Sequence, residues 1–263
     1  MRPSLEIVVP VHDEQLVLQQ SIRRLHGYAR AALPHLDVRI TIADNASSDL
    51  TGALAMQLGD QLPGVRLRQL AEKGRGRALR SVWKASDADI VAYMDVDLST
   101  DLFALAPLLR PLLCGEADIA IGSRLLPGSE VTRCLRRELI SRAYNRLLQR
   151  SLHVRFRDAQ CGFKAARRSA ILPLLDRIES QTWFFDTELL YLAEQAGLTI
   201  VELPVHWEED RDSSVRILAT VLDNLRHIRR LRNARRGERR PAPLPPGRVL
   251  TQPSEPARLP RSR

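Results

Sequence analysis

Apolar positions follow two spacings that alternate along the first third of the chain. Residues 5–11 (LEIVVPV) form a short β-branched run, and from 14 to 32 apolar residues recur at Leu18, Ile22 and Leu25. A period of two marks extended chain and a period near 3.6 marks a helix, so this stretch predicts a strand followed by a helix. The pattern repeats, with strands expected over 38–43, 65–70 and 90–94 and helices over 50–62 and 76–85. Alternation of this kind predicts parallel βαβ units in a doubly wound α/β sheet. Further on, helices are expected over 102–114, 138–152 and 186–196 and strands over 119–122, 199–203 and 205–208. An amphipathic helix is expected over 215–231, and no internal repeat is visible.

Composition adds little until charge is located. The 263 residues are 44% hydrophobic and 27% charged, which is ordinary for a folded domain. The formal charge of +9 suggests nucleic acid or an anionic surface, but it is not spread over the chain. Residues 1–228 balance at 29 basic against 29 acidic, whereas residues 229–263 carry 11 Arg, two Glu and seven prolines. The expected division is therefore a catalytic domain over 1–214, an amphipathic, membrane-surface helix over 215–233, and a disordered Arg/Pro-rich tail over 234–263. With a neutral core and few aromatic residues, no nucleic-acid partner is expected.

Cys114, Cys134 and Cys161 are odd in number and too far apart for a disulfide framework or a zinc knuckle. They read as reduced thiols of a cytoplasmic protein. The start of the chain enters a strand-like run at once, without the pattern of a signal peptide. The longest apolar window, 102–114, contains Arg110 and is too short to span a bilayer, so membrane attachment is expected to be peripheral.

Three strand ends carry candidate chemistry. Asp95 and Asp97 in YMDVD follow the strand at 90–94, and in extended backbone they would point to one side. Two such carboxylates beside a nucleotide diphosphate suit Mg²⁺ or Mn²⁺; the bland reading is a helix cap, from Asp97 or Ser99. In DNASSD (44–49), Asp44 can accept hydrogen bonds from a ribose or base, while Ser48 or Asp49 can cap the next helix. In EKGRGR (72–77), glycines with interleaved cations open a helix and could cradle phosphate, or form a basic turn.

Together with PVHDE (10–14), GSR (122–124) and DAQCGFK (158–164), these motifs fall in the order found in inverting family-2 glycosyltransferases of GT-A fold. The chain resembles the polyprenyl- and dolichyl-phosphate sugar synthases over about residues 4–232. DAQCGFK and WFFDTELLYLAE are most similar to dolichyl-phosphate glucosyltransferases and their bacterial relatives. The resemblance implies transfer of a hexose, with UDP-glucose as first choice of donor, to polyprenyl phosphate with anomeric inversion. It places Pro10, Val11, Glu14, Asp44, Arg75 and Asp95 at the nucleotide, and Mg²⁺ or Mn²⁺ at Asp95 and Asp97. Arg75 stands where the family usually has Lys, and Glu72 where it often has Asn.

The resemblance also assigns Arg124, Arg137 and Ser141 to the acceptor phosphate, and Asp158 either to donor-sugar hydroxyls or to base assistance. Gly162 is expected to allow a close backbone approach, with Phe163 and Cys161 in packing roles. Asp186 and Glu188 sit where helix dipoles favour acids, and His206 and Trp207 read as structural. The apolar face of the last helix (Ile217, Leu218, Val221, Leu222, Leu225, Ile228, Leu231) with Arg226, Arg229, Arg230 and Arg232 is the expected link to an anionic membrane; the alternative is that this face packs on the catalytic domain and the arginines are solvated. These readings make the chain a peripheral protein on the inner face of the membrane, whose product a separate membrane protein flips or uses. A soluble acceptor, or nucleic-acid binding through the tail, are the competing readings.

Overall fold

The structure, a computed structural model, describes residues 2–208, 217–237 and 249–251. The chain runs β1 Ser4–Val11, α1 Leu18–Ala32, β2 Asp37–Asn45, α2 Thr51–Gln61, β3 Val65–Leu70, α3 Arg75–Ala85 and β4 Ile90–Met94. A 3₁₀ turn at Leu102–Ala104 leads into α4 Leu105–Leu113, β5 Ile119–Ser123, β6 Glu130–Thr132 and α5 Leu135–Leu152. Then come β7 Phe163–Arg167, α6 Arg168–Leu175, α7 Phe185–Gln195, β8 Ile200–Pro204, β9 His206–Glu208, α8 Ile217–Gly237 and β10 Val249–Thr251.

Eight strands form one sheet in the order β10-β8-β5-β7-β4-β1-β2-β3. All neighbours are parallel except β7, which runs antiparallel between β4 and β5. Chain order turns back between β1 and β4, so the crevice at their carboxyl ends is the ligand edge of such a sheet. A separate parallel pair, β6 and β9, stands beside it.

Alternation along the central strands divides the core. Leu5, Ile7 and Val9 of β1 with Ile90, Ala92 and Met94 of β4 face α1, α2 and α4. Val8, Val91 and Tyr93 face the other way, onto α3, α6 and α7. The period-3.6 stripe on α1 (Leu18, Ile22, Leu25, Ala29) is buried as expected. Both faces are covered, so the strands read as continuous apolar runs.

Several expectations change. Strand β7 and helix α6 were not anticipated, because KAAR lacks β-branched residues and RSAILPLL is short and contains Pro173. The helix expected over 102–114 is a 3₁₀ turn plus α4, and its cap is Asp101, which accepts from Phe103 N, rather than Asp97 or Ser99. Helix α5 starts three residues early, at Leu135.

Residues 234–237, assigned to the tail, continue α8, since Ala and Arg are good helix formers. Val249–Thr251, the tail's one β-branched run, pairs in parallel with β8, whose open edge supplies backbone partners. The expected boundary at 214/215 and most of the Arg/Pro tail lie outside the described residues. No described helix is long and apolar enough to cross a membrane.

Candidate active site

The loops leaving β1, β2 and β4 meet at the carboxyl edge of the sheet. In register, Pro10 faces Ala43 and Val11 faces Asp44 on neighbouring strands. Asp44 is buried and accepts from Ser47 N at 3.1 Å. Glu14 N donates to Thr51 Oγ1 at 2.8 Å, and Asn45 Oδ1 accepts from Gly74 N at 3.0 Å, which ties the second strand end to the start of α3. Ser48 donates to Asp13, while Asp49 Oδ1 accepts from Thr51 N at the start of α2. Asp13, Ala46 and Leu98 adopt positive φ angles of 57°, 59° and 51°, unusual for residues with side chains. All three lie in these loops, and such strain gathers at functional sites.

Asp95 and Asp97 do share one small cleft, lined also by Thr100, Gly162 and Trp207. The reason is not continued extension. The chain leaves β4 in a turn closed by Leu98 N on Asp95 O, with Val96 buried between the two aspartates. The antiparallel β7 sets the floor: Met94 pairs with Phe163, and Asp95 N donates to Gly162 O at 3.2 Å. A Cβ built on Gly162 would fall 1.7 Å from Asp95 Oδ2, so only glycine lets the backbone lie against this carboxylate.

Arg75, the first residue of α3, joins the cleft to the buried interior. Its guanidinium contacts Asp95 Oδ1 at 2.7 Å and Asp186 Oδ2 at 2.6 Å. It lies 4.9 Å from the ring centres of both Tyr93 and Trp183. Asp186 is fully enclosed; burial alone would raise its pKa, but Lys164 and Arg75 lower it, with a hydrogen bond from Tyr93. Lys164 Nζ completes the cluster, 3.1 Å from Asp186 Oδ1 and 2.9 Å from Tyr93 Oη. Burial pushes the Tyr93 phenol well above its ordinary value, so Tyr93 stays a neutral donor. Asp186, Lys164 and Tyr93 were not placed in the site from sequence. The signal available was the charged pair inside FDTELL and the lysine ending DAQCGFK.

A second cluster lies at the end of β5. Arg124 Nε and NH2 donate to both Asp158 oxygens at 2.8 and 2.9 Å, and Arg124 N donates to Oδ2 at 3.0 Å. Burial would raise Asp158, but the Arg124 charge and hydrogen bonds outweigh it and bring the carboxylate down to about 2. Arg124 also stacks on Trp207, 5.3 Å from the ring centre. Trp207, read as structural, therefore lines the cleft beside Asp95. Behind Asp158, buried Glu202 accepts from Arg157 N at 2.9 Å and Asp158 N at 3.2 Å, and burial raises its pKa to about 7.

Arg137 and Ser141 lie on α5 and are joined to this loop indirectly. Asn145, one turn beyond Ser141, donates to Ser141 O and accepts from Ala159 N, next to Asp158. Ser141 is buried, and its hydroxyl has no hydrogen-bond partner among the described residues. Cys161 is buried and its thiol is raised to about 12 by burial, as its packing role requires. No disulfide joins the three cysteines, and Cys114 and Cys134 are exposed.

In the last helix the described part of the apolar face packs on the domain, the alternative to the expected membrane link. Ile228 and Leu231 are 5% and 7% exposed and join the core, and Arg230 pairs with Glu179 and with buried Glu188. Only Leu225 of the described face is exposed, because α8 packs on the domain next to α5. The side chains of residues 217–222 lie outside the described residues.

A doubly wound sheet with paired aspartates, cations and strained loops at its carboxyl edge is an architecture suited to binding a nucleotide and its phosphates there. The model of Glycosyl transferase family 2 matches residues 6–174, and the chain belongs to that family. It is 34% identical over 219 residues to Glycosyltransferase AglD of Haloferax volcanii, a match covering 83% of this chain but 35% of AglD. The chain thus spans about a third of that relative's length. It is 29% identical to the Dolichyl-phosphate beta-glucosyltransferase of Drosophila melanogaster, over 79% of this chain and 68% of that protein. Among solved structures, glucosyl-3-phosphoglycerate synthase from Mycobacterium tuberculosis, crystallised with Mn²⁺, UDP and phosphoglyceric acid, superposes with a TM-score of 0.65. That match covers 89% of this chain and 79% of that one at 18% identity, which supports the GT-A fold.

Proposed function

We propose that the protein transfers a hexose from a nucleotide sugar, UDP-glucose first, to the phosphate of a polyprenyl lipid with inversion at the anomeric carbon. The observation that carries this reading is Arg75 set against Asp95 at the ligand edge, where a donor diphosphate would find both a cation and paired carboxylates. Similarity to a dolichyl-phosphate glucosyltransferase over most of the chain supports the lipid phosphate as acceptor.

Pro10, Val11, Glu14 and Asp44 line the nucleotide end in this reading, and Arg75 exchanges Asp95 for a phosphate oxygen as the donor enters. Asp95 and Asp97 are the residues that would hold Mg²⁺ or Mn²⁺, whose chemistry there is to neutralise the leaving nucleoside diphosphate. The donor set fits: Asp95 and Asp97 bring two hard carboxylates to one small cleft at the ligand edge. Hard ions of this type take one or two carboxylates and complete their shell with phosphates and water.

Arg137 and Ser141 grip the acceptor phosphate, and one of its oxygens attacks the anomeric carbon as the bond to the diphosphate breaks. A phosphate monoester is largely ionised at neutral pH, so no strong base is needed. Asp158, lowered to about 2 and held at both oxygens by Arg124, is accordingly a positioning group rather than a base. The protein works as a peripheral enzyme on the cytoplasmic face of the membrane.

The test is incubation with radiolabelled UDP- and GDP-hexoses, Mg²⁺ or Mn²⁺ and polyprenyl phosphate, followed by lipid extraction. Label from UDP-glucose in the lipid phase is expected, and none from any donor would overturn the reading. Asp97→Ala should abolish transfer while the circular dichroism spectrum and unfolding midpoint are unchanged.

A further inference from the structure

The last helix turns much of its described apolar face inward, so another surface must meet the lipid if the acceptor is membrane-bound. We infer that the outward face of α5 is the membrane-docking surface, and that it binds anionic phospholipid; this rests on the polyprenyl-phosphate reading above. Leu135 and Leu139 are 80% and 67% exposed, and Leu147 is also exposed. With exposed Ala143 they stand four residues apart, which in a helix draws them along one side. They are the reverse of Leu148 and Leu152, buried on the opposite side of the same helix.

Charge says what covers this face. Arg136, Arg142, Arg146 and Arg150 are all exposed and interleave with the leucines. The only acid of the helix, Glu138, is already paired with Arg133 and Arg142. A protein partner would favour an apolar centre depleted of charge. Leucines mixed with arginines suit a headgroup layer, where the leucines enter the acyl boundary and the arginines extend to phosphates. Each basic residue near an anionic surface contributes favourably, and the net charge of α5 has the sign required.

The placement also serves the chemistry. Ser141, on the buried side of the helix and linked through Asn145 to the Asp158 loop, and Arg137 share this helix with the docking face. A helix docked by its leucine face would hold those residues within about one helix diameter, roughly 10 Å, of the headgroup layer, within reach of a lipid phosphate.

The experiment uses the full chain and sedimentation with vesicles of phosphatidylcholine alone or with added phosphatidylglycerol. Binding to the anionic vesicles, reversed by salt, is expected. Leu135→Ser with Leu139→Ser should weaken it about tenfold or more, and Arg146→Gln with Arg150→Gln about fivefold per residue. Leu225→Ser on α8 should leave it unchanged. The leucine pair should keep wild-type transfer to a short, water-soluble isoprenyl phosphate and lose transfer to long-chain polyprenyl phosphate in vesicles. Wild-type binding by the leucine variant, binding lost through Leu225→Ser instead, or no binding of the unaltered protein would each overturn the docking face. Leucine-dependent sedimentation without transfer to either acceptor would uphold the docking face and sink the acceptor assignment.

Discussion

Two Arg–Asp pairs lie near each other in the cleft and behave differently. Arg124 gives its guanidinium to one carboxylate, Asp158, which is wholly buried and receives a third bond from the Arg124 amide. Arg75 divides its contacts between Asp95, whose side chain is 42% exposed, and Asp186, which Lys164 and Tyr93 also hold. The first pair saturates a fully buried carboxylate and works as a brace. The second can release Asp95 without leaving a buried charge alone, which is what a donor-phosphate ligand requires.

The sharpest way to break that contrast is to remove one member of each pair. Asp158→Ala strands a buried guanidinium and should cost about 3–5 kcal/mol in denaturant unfolding. Arg75→Ala, by the same measurement, should cost less, about 1–3 kcal/mol, because Asp186 retains two donors, yet it should abolish transfer. Equal stability losses would remove the distinction. Next in size, Gly162→Ala must displace Asp95 and should lower kcat about 100-fold in the lipid-extraction assay, since a shift near 1 Å at a reacting centre has that effect.

The smallest expected effect separates the brace from its support by pH. Asp158, at about 2, lies below an ordinary aspartate, so its contribution is complete above about pH 4 and fades as pH falls through 2. Glu202, raised to about 7, has the opposite sign: its contribution is complete below its ordinary value and fades as pH rises through 7. Glu202→Gln keeps an acceptor for the amides of residues 157 and 158. It should therefore stabilise the protein by about 2 kcal/mol at alkaline pH relative to wild type, with little change near pH 5. Urea midpoints at the two pH values check this, and parallel curves would remove Glu202 from the account.

The βαβ half was legible because its periodicities are strong and its strands are continuous apolar runs; β1, β3 and β4 fall where the pattern puts them. Strand β7 was not, because an interior strand made of Phe-Lys-Ala-Ala-Arg carries no alternation, and its burial comes from neighbours distant in sequence. Among site residues, Asp95, Asp97, Arg75, Arg124 and Asp158 were named from motifs. That Arg124 and Asp158 bind each other, and that Trp207 roofs the same cleft, could not be read because 34 residues separate the pair and Trp207 arrives from the far end of the domain. For Asp186 a site role stayed open beside that of a dipole acid, because the latter is equally available to any acid in a first helical turn.

Local order set the alternation of strands and helices, the neutral balance of residues 1–228 and the identity of the acids at the strand ends. These depend on near neighbours and on counting, which a linear string records. The three-dimensional fold chose which charges pair, which apolar helix face is buried and which is left exposed: Ile228 and Leu231 go in, Leu135 and Leu139 stay out. Both faces set aliphatic residues beside arginines, and only the shape of the surface offered by the rest of the chain distinguishes a face with a packing partner from one without.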